Sequence, residues 1–516
     1  MWERVHLNRF GNKVVLYGKR TRHLGFNRLG KDENNFENLS ETFLYFSTHD
    51  YIMKIRKFVN RREELKVLER LYRQDQFTLV LVTGRRRIGK SRLVREFLKN
   101  KKAISVQFEK RVWEYNLTKL NRAIGKYFGI PSPNFSTFTD AFRFIASQSR
   151  ERLVIFLDEF SYLLRYSEIE AEFQSIVDEV LNESNVMLIL SASSVGLLKR
   201  SFFDYSSPLY GRSDATLNLQ PLRFKHLFEW FSSLSPKDAV KLYAVTSGVP
   251  RYLELFSGKN IESEIKKNFF DPNAFLFREA KELLEEEFRE PETYYTILEA
   301  VARGKRRVNE IAQYSFIEPK NTARYLRILE DLGILRRELP VSRKAKRGIY
   351  RFRDLYFAFW FRFVAPYFEE IESGFPDGAL EDFDISFNHY LGFVFEEVAR
   401  QFIIELNKAK KLPFKFTRIG KWWRKDEEID LVALNEREKK ALFAEVKWKD
   451  LKEGEAMGIL RDLERKSELV GLERWEKSYG LVAKSLEGKE RLRNEGWLVW
   501  DLGDFKETKL GQAKAL

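Results

Sequence analysis

The stretch that decides the fold is FTLVLVTGRRRIGKSRLVREFLKN, from Phe77 to Asn100. Its first seven residues form a short run rich in apolar and β-branched side chains, which predicts a buried strand. The next eight, Gly84–Ser91, match G-x-x-x-x-G-K-[ST], a loop whose backbone N–H groups face phosphate oxygens at a helix N-terminus. The residues after the loop predict that helix. The stretch therefore predicts a strand, a phosphate-binding loop and a helix, the first unit of an α/β fold.

This loop predicts a site for ATP and Mg²⁺. Gly84 and Gly89 allow the backbone to curl around the phosphates, Lys90 reaches the β- and γ-phosphate oxygens, and the Ser91 hydroxyl ligates Mg²⁺. A chance turn of the same composition is the alternative, and the strand and helix on either side argue against it. The predicted nucleotide-binding residues here are Gly84, Arg85, Arg86, Arg87, Ile88, Gly89, Lys90, Ser91 and Arg92.

A second apolar run, Arg152–Leu157, ends in two adjacent carboxylates. Asp158 is predicted to hold the Mg²⁺ shell and Glu159 to polarise the attacking water. This division of roles predicts hydrolysis of the nucleotide as well as binding. The alternative is a pair of solvated acids at the end of a strand.

Further short apolar runs alternate with helical segments along the chain. AISVQF begins at Ala103 and VMLILSAS at Val186, and such alternation predicts a parallel sheet with helices on both faces. We place this α/β core at residues 53–225 and a helical lid at 226–287. The Ser-Gly-Val-Pro break at 247–250 is interpreted as a helix boundary within the lid.

With both motifs present, the chain resembles the AAA+ superfamily of ATPases, and more closely its prokaryotic and archaeal members related to the STAND class and to origin-recognition ATPases. The resemblance covers residues 53–365, and FVNRREEL at its start is similar to the family's segment near the adenine base. It implies that Ser193 is a polar sensor that positions the water, and that Arg251 touches the nucleotide from the lid. It also implies that Arg212 acts on a γ-phosphate, in cis or in trans, and a structural salt bridge is the alternative for that arginine.

The positive charge of the chain is concentrated in one segment. The chain has 91 lysines and arginines against 76 acidic residues, and residues 301–353 alone hold fifteen against five, which favours binding to a polyanion. Three predicted helices and a hairpin within residues 288–365 have winged-helix spacing, and the segment resembles the winged helix of archaeal relatives. The third helix would enter the major groove of duplex DNA, and the hairpin would meet phosphates. A protein-docking role is the alternative. The predicted DNA-binding residues are Lys320, Asn321, Thr322, Arg324, Arg343, Lys344, Lys346 and Arg347.

The last segment, residues 366–516, carries carboxylates on predicted strands. Asp430 lies in EIDLVAL, and alternation along AEVK puts Glu445 and Lys447 on one face of the next strand. Two acids and a lysine can together bind Mg²⁺, activate water and stabilise a pentavalent phosphate. The alternatives are acids on a solvated sheet face, and an intact fold that has lost catalysis.

This pattern resembles the PD-(D/E)XK nuclease core, although no proline precedes Asp430. The resemblance implies that Asp430 and Glu445 hold metal and that Lys447 steadies the nucleophile or the phosphate. It also implies that Glu396, in GFVFEE on the preceding helix, completes the metal shell.

Composition excludes several classes of site. The chain contains no cysteine, so disulfides, cysteine-ligated zinc, iron–sulfur clusters and thiol nucleophiles are excluded. Its five histidines are scattered, which gives no support to a histidine zinc site or a Ser-His-Asp triad. The longest apolar run, Leu355–Val364, is interrupted by Arg362 and is far shorter than the ~20 residues of a membrane span. We expect a cytoplasmic protein without a membrane contact, and we interpret residues 1–52 as a non-native or disordered extension.

The sequence as a whole predicts an α/β fold, with a P-loop parallel-sheet ATPase core, a helical lid, a winged-helix domain and a C-terminal α/β restriction-endonuclease-like domain. The favoured function is Mg²⁺-dependent ATP hydrolysis that couples the nucleotide state to the engagement of duplex DNA, with nuclease activity as an open addition. The alternative is a STAND-like signalling switch that binds ATP and a protein partner and cuts nothing. The choice between DNA and RNA and the oligomeric state stay open.

Overall fold

The structure of the 516-residue chain is a computed structural model, which describes two stretches by their backbone and four longer or shorter ranges with side chains. The described residues are 2–10 and 13–20 (backbone), and 58–193, 196, 201–341 and 348–507. The chain forms a small unit, Met1–Phe58, and a large unit, Val59–Leu516. In the small unit, β1 (Trp2–Phe10) pairs antiparallel with β2 (Lys13–Arg20). The interpretation of residues 1–52 as an extension stays a prediction, because most of that segment lies outside the described residues.

The first sheet of the large unit is parallel, as the alternating pattern predicts. Its strands lie in the order β4-β5-β6-β3-β7, and every neighbouring pair is parallel. β3, β5 and β6 are buried at every position, and a strand covered on both faces needs such an apolar run. The strands are β3 Thr78–Thr83, β4 Ala103–Gln107, β5 Leu153–Asp158, β6 Val186–Ala192 and β7 Ala215–Asn218. The helices of this part include Arg62–Tyr72, Lys90–Phe97, Trp113–Phe128, Phe138–Gln148 and Ser167–Ser175.

A helical region follows this sheet. Its helices are Leu227–Trp230, Pro236–Thr246, Pro250–Leu253, Ile261–Phe269 and Phe275–Glu287. Gly248 lies between two of them with a φ of 71°, and its carbonyl accepts a hydrogen bond from the Leu222 N–H (2.9 Å). A Cβ at this position would collide with the Leu222 carbonyl oxygen. The predicted helix boundary at 247–250 is therefore confirmed, and only glycine fits its turn without strain.

Three helices and a two-stranded sheet occupy residues 288–365, which we call the basic segment. They are Pro291–Ala302, Val308–Ser315 and Pro319–Asp331, followed by β8 (Leu335–Glu338) and its antiparallel neighbour β9 (Ile349–Phe352). This is the order of elements that the winged-helix prediction requires. The predicted hairpin tip with Arg343, Lys344, Lys346 and Arg347 lies outside the described residues.

The C-terminal part is a mixed sheet with helices. β10 to β14 lie in sequence order; β11 pairs antiparallel with both β10 and β12, and the pairs β12–β13 and β13–β14 are parallel. The strands are β10 Arg418–Arg424, β11 Glu427–Asn435, β12 Lys440–Leu451, β13 Glu476–Leu486 and β14 Leu498–Trp500. The helices are Leu355–Phe359, Phe368–Glu372, Asp377–Lys408, Glu453–Glu468, Lys489–Asn494 and Asp504–Glu507.

One aromatic-rich core joins the helical region, the basic segment and the C-terminal part. The apolar run Leu355–Val364 lies at its centre, where the Trp360 indole N–H donates to the Phe277 carbonyl (2.7 Å) and Arg362 pairs with Asp382 (2.6 Å). Across the described residues, we find no helix with the length and apolar character needed to cross a bilayer. The run that most resembled a membrane segment in the sequence is therefore a core element of this fold.

Candidate functional site

The loop after β3 has the backbone that a phosphate-binding loop requires. Gly84, Arg87 and Gly89 take positive φ angles of 140°, 68° and 93°, and the helix Lys90–Phe97 begins directly after them. A Cβ on Gly84 would lie 2.8 Å from the Leu219 carbonyl oxygen, so glycine is required there. The loop thus turns its backbone towards the N-terminus of a helix, where N–H groups are free to bind an anion.

Lys90 lies at the centre of the site and is buried. Its Nζ donates to the Gly84 carbonyl (2.9 Å) and to the Ser193 hydroxyl (2.8 Å), and the Ser193 hydroxyl in turn donates to Glu159 Oε1 (2.6 Å). Burial lowers the pKa of Lys90, and the charges of Glu159 and Asp158 oppose this effect. The structure thus brings together four residues that the sequence predicts, from three separate segments of the chain.

Ser191 is a site residue that the sequence prediction missed. Its hydroxyl donates to Asp158 Oδ1 and accepts the Glu159 backbone N–H (3.2 Å). Ser191 and Ser193 are two residues apart at the end of β6, so strand alternation places them on one face. That alternation was the available signal.

Glu159 has the surroundings expected of the role predicted for it, which is to polarise an attacking water. Its backbone is left-handed, with a φ of 58°. Its Oε2 is buried and receives no hydrogen bond from the described residues, although an unsatisfied buried carboxylate oxygen is costly. Asp158 and the hydroxyl of Ser91 supply the hard oxygen ligands that Mg²⁺ prefers. The donor set of this site therefore fits Mg·ATP.

The three arginines of the loop are held by acidic residues outside it. Arg85 forms an ion pair with Asp354, Arg86 with Glu286 (3.1 Å), and Arg87 makes two hydrogen bonds to Glu279 (3.1 and 3.3 Å). Glu279 and Glu286 belong to the lid helix Phe275–Glu287, and Asp354 follows β9. The nucleotide-binding prediction for these arginines therefore concerns their backbone N–H groups, because their side chains connect the loop to the lid and to the basic segment.

Ile88 of the loop and Arg92 just after it are further residues with a predicted nucleotide contact. Ile88 is buried, and its carbonyl accepts from Arg61 (3.4 Å), which also donates to the Gln220 carbonyl (2.7 Å). Arg61 was not predicted, and it fixes the start of the large unit to the loop. Arg92 is exposed on the helix after the loop, and its predicted nucleotide contact stays a prediction.

The turn at residues 247–250 of the lid lies against the phosphate-binding loop. The ring of Pro250 is 4.0 Å from the position of a Cβ on Gly89. Arg251, next to it, pairs with Glu254 (3.2 Å) and lies over the Phe275 ring, which Arg87 also covers. Its predicted contact with the nucleotide stays a prediction.

Arg212 forms a two-point ion pair with Asp178. Its Nε and Nη2 each donate to one oxygen of Asp178 at 2.7 Å, and its Nη1 donates to the Tyr210 carbonyl (3.2 Å). Because all three of its nitrogens are engaged within the chain, the structure has the arrangement that the salt-bridge alternative requires. The action of Arg212 on a γ-phosphate stays a prediction.

The third helix of the basic segment presents polar residues to solvent, with one exception. Lys320, Asn321 and Arg324 are exposed on Pro319–Asp331. Thr322 is completely buried, and its hydroxyl donates to the Glu318 carbonyl (3.0 Å). Its predicted DNA contact is therefore wrong, because the side chain faces the helix packing. Phe316, just before this helix, is 97% exposed.

The predicted carboxylates and lysine of the C-terminal part lie together. Lys447 Nζ is 2.5 Å from Glu445 Oε2 and 3.5 Å from Asp430 Oδ2, and both acids are buried. Burial and the charge of Asp430 raise the pKa of Glu445 to about 7. Burial alone would raise the pKa of Asp430, but Lys447 and Lys421 hold it below its usual range. Lys466, from the helix Glu453–Glu468, lies 3.5 Å from Glu445 Oε1.

Glu396 does not complete a metal shell with these acids. Lys421 lies between them, 2.6 Å from Glu396 Oε2 and 3.6 Å from Asp430 Oδ1, and Arg351 of β9 approaches Glu396 at 3.7 Å. Over the part of the chain that the structure describes, no three acidic or histidine side chains are grouped so that they could hold a metal ion. The metal role predicted for Glu396 is therefore wrong, since two cations surround its carboxylate. Trp422 is buried, and Trp423 is partly exposed.

Comparisons with known proteins find two families and several similar chains. A family profile described as an ATPase domain predominantly from Archaea matches residues 58–256, and one described as archaeal and bacterial proteins of unknown function matches 360–459. An uncharacterized protein of Methanocaldococcus jannaschii is 39% identical over 454 residues, 87% of this chain and 100% of that protein. An uncharacterized ATP-binding protein of the same organism is 51% identical over 45 residues, 9% of this chain and 76% of that protein. A solved structure, the Walker-type ATPase of Pyrococcus abyssi, aligns with 61% of this chain and 99% of its own, at 23% identity and a TM-score of 0.47.

Proposed function

The chain belongs to a family of archaeal ATPases, and from this premise we propose that it hydrolyses Mg·ATP and that the nucleotide state controls how it engages duplex DNA. The observation that carries the proposal is the ion pair between Arg85 and Asp354. It joins the loop that would hold the phosphates to Asp354, the second residue after β9 of the basic segment. A change in the loop on nucleotide binding therefore reaches the predicted DNA-binding element through one contact.

Hydrolysis is supported by the residues around Lys90. Backbone N–H groups of the loop would bind the phosphates, and the Lys90 ammonium would move from its loop carbonyl to phosphate oxygens. Mg²⁺, held by Ser91 and Asp158, would neutralise phosphate charge in the transition state. Glu159, already oriented by Ser193, has one buried carboxylate oxygen available for the attacking water. The site thus has separate groups for phosphate, metal and water.

DNA engagement is supported by the third helix of the basic segment. Lys320, Asn321 and Arg324 are exposed at its N-terminal end, which is the end that meets base edges in winged-helix and related proteins. The local excess of positive charge would supply the phosphate contacts that dominate the affinity. We therefore assign duplex DNA as the partner of this segment.

Cleavage of nucleic acid by the C-terminal cluster is part of the same proposal. Glu445, with a pKa of about 7, suits a general base at neutral pH, and Lys447 would stabilise the charge of the attacked phosphate. Asp430 and Glu445 would hold a metal ion where one is used, and Glu445 Oε1 is buried without a hydrogen bond from the described residues. Glu445 would take a proton from the water that attacks the phosphorus, the bond between phosphorus and the sugar oxygen would break, and that oxygen would leave with a proton from solvent.

The second candidate is a signalling switch that binds ATP and a protein and cuts nothing. The position of Lys421 between Glu396 and Asp430 favours it, because lysines already neutralise the acids that a metal would otherwise bridge. In this alternative the C-terminal cluster is a structural ion-pair network.

ATP turnover with and without DNA separates these candidates. We would measure phosphate release by the full chain with Mg²⁺, beside Lys90→Ala and Glu159→Gln, and examine the DNA on a gel. Turnover that DNA stimulates, and that both variants lose, supports the first proposal. Tight ATP binding with negligible turnover and intact DNA supports the switch.

A further inference from the structure

The lid helix Phe275–Glu287 ends in three consecutive carboxylates, Glu285, Glu286 and Glu287. The carbonyl groups at a helix C-terminus carry partial negative charge, so acidic side chains there are unfavourable. Positive charge from outside the helix has to offset them. In this structure the phosphate-binding loop supplies that charge.

Two of the three carboxylates face the loop. Glu286 forms the ion pair with Arg86 (3.1 Å). Glu287 lines a small cavity together with Arg86 and Ser193. Glu285 is exposed and lies outside that lining. The end of the lid helix therefore presents two negative charges to the nucleotide site and a third to solvent.

Ser193 shows which part of the nucleotide site Glu287 faces. The Ser193 hydroxyl accepts from Lys90 Nζ (2.8 Å) and donates to Glu159 (2.6 Å), so the cavity adjoins the groups assigned to the γ-phosphate and to the attacking water. Burial raises the pKa of Glu287, the charges of Arg86 and Lys90 lower it, and the charge of Glu159 raises it again. The Glu287 carboxylate thus interacts electrostatically with the same lysine that a γ-phosphate needs.

The γ-phosphate distinguishes ATP from ADP by the negative charge that it adds at this end of the site. The cavity beside Ser193 has a volume of about 40 Å³, which is room for only a few water molecules. Little solvent would therefore separate Glu287 from a γ-phosphate, and like charges repel most strongly where water is excluded. ATP meets this repulsion while the lid helix rests on the loop, and ADP does not.

We propose that Glu287 discriminates between ATP and ADP, because its carboxylate opposes the γ-phosphate. The chain would favour ADP while the end of the lid helix lies on the loop, and ATP would favour an arrangement in which that end has moved away. A ligand shifts such an equilibrium only by its different affinities for the two arrangements. The inference rests on the proposed nucleotide site and names the feature of the nucleotide to which that site responds.

Glu287→Gln tests this directly, because it removes the charge and keeps the size and shape of the side chain. Glu285→Gln is the matched control, since it makes the same change at the same helix end on a side chain that faces solvent. The Kd values of Mg·ADP and of Mg·AMP-PNP, a non-hydrolysable ATP analogue, are measured by calorimetry for each full-length chain. Glu287→Gln is expected to bind AMP-PNP about tenfold more tightly and ADP nearly as before. Both Kd values of the control should stay close to those of the parent.

An unchanged ratio of the two Kd values in Glu287→Gln would overturn the proposal. Equal changes for both nucleotides leave that ratio unchanged and indicate a structural effect. Lys90→Ala in the same assay separates this failure from that of the proposed function. A parent chain that binds neither nucleotide, or a Lys90→Ala chain that binds both as well as the parent, refutes the nucleotide site and this inference together. Normal nucleotide binding with an unchanged ratio in Glu287→Gln removes the inference alone.

Hydrogen exchange of the unaltered chain gives a second measurement. The Phe288 N–H donates to the Leu284 carbonyl (3.0 Å) at the end of the lid helix, and amides of a turn that leaves its packing exchange faster. Exchange over residues 284–288 is expected to be several times faster with Mg·AMP-PNP than with Mg·ADP. The lid helix Pro236–Thr246 should exchange equally with both nucleotides. Equal rates over 284–288 would contradict the movement of the helix end.

Discussion

Ser191 and Ser193 position the carboxylates of the nucleotide site from one face of β6. Ser191 holds Asp158, and Ser193 connects Glu159 to Lys90. Both serines are buried, so their hydroxyl groups work in a region of low dielectric, where hydrogen bonds to charged groups are strong. The neutral hydroxyl of Ser193 therefore orients Glu159 directly, and Lys90 acts on Glu159 through it.

Replacing Ser193 by alanine should slow ATP turnover about 10–100-fold, the equivalent of the roughly 1.5–3 kcal/mol of a hydrogen bond to a charged group. The affinity for ATP should change less, because the loop backbone stays intact. Steady-state phosphate release and nucleotide titration measure the two quantities. Ser315→Ala is the control, since that buried hydroxyl donates only to helix carbonyls. An equal loss of turnover in both variants would contradict the role given to Ser193.

Glu445 gives the C-terminal cluster a pH-dependent stability. Its pKa of about 7 in the folded chain exceeds that of an unfolded glutamate, so the folded state binds the proton more tightly. Between about pH 4.5 and 7 the unfolded chain loses this proton first, and stability falls as the pH rises, by up to about 3 kcal/mol. The lowered pKa of Asp430 acts in a more acidic window.

Glu445→Gln should therefore unfold at a higher temperature than the parent chain above pH 7 and at nearly the same temperature at pH 5. Lys447 keeps Asp430 as a partner in this variant. Thermal unfolding in EDTA from pH 5 to 8 provides the measurement. Glu468→Gln, which neutralises a more exposed glutamate paired with Lys477, should show no such divergence. A constant difference across the range would disprove the assignment.

At the scale of elements, the loops, strands and helix boundaries that depend only on the local residue pattern were predicted correctly. The phosphate loop, the strand ending in Asp158, and the break at 247–250 lie where residue order alone places them. Lys421 and Arg351 escaped prediction as neighbours of Glu396, because their positions depend on how β10 and β9 meet the long helix Asp377–Lys408. Thr322 was misassigned because the local pattern predicts the helix but not that this residue faces the packed side.

Gly248 sets the direction of the chain between two lid helices. Gly248→Ala should lower the midpoint of thermal unfolding by several degrees, since a Cβ meets the Leu222 carbonyl and the φ is positive. Gly304→Ala isolates the collision, because Gly304 has a φ of 82° with nothing within 4 Å of the added Cβ. Differential scanning fluorimetry compares the two variants. Similar losses would show that the backbone angle alone matters.

The third helix of the basic segment has a distinct prediction. Lys320→Glu with Arg324→Glu should lower duplex affinity at least about tenfold and reduce the slope of log K against log salt by about 2, since each lost phosphate contact accounts for about 0.9. Arg122→Glu with Lys126→Glu makes the same charge change at the same spacing on an exposed helix of the ATPase part. Anisotropy titrations over a salt series test this. If both double variants lose the same duplex affinity, the loss comes from the change in net charge and not from contacts made by Lys320 and Arg324.

At the scale of the whole molecule, ion pairs connect the nucleotide loop to the C-terminal cluster. Arg85 reaches Asp354, and three residues earlier Arg351 reaches Glu396, which Lys421 joins to Asp430. A coupling between two sites is a free energy that each ligand exerts on the other. The coupling between ATP and nucleic acid that we propose would run along this series of contacts.

Asp354→Asn should reduce the factor by which ATP changes DNA affinity, while each ligand alone binds nearly as before. A typical coupling is about 1–3 kcal/mol, and the variant should lose most of it. DNA titrations with and without ATP give that factor directly. Asp382→Asn breaks a comparable ion pair with Arg362 in the aromatic core and should leave the coupling unchanged. If ATP changes the DNA affinity of Asp354→Asn by the same factor as in the parent chain, the coupling does not depend on this ion pair.

The aromatic core also crosses the boundary of the ATPase family profile. The ATPase family profile stops at residue 256, yet Tyr252 packs on Tyr356 at a ring distance of 4.6 Å and donates to Glu279. A gene fragment cut at that boundary would expose both partners' apolar surfaces to water. The ATPase part therefore relies on the rest of the chain to cover this apolar surface.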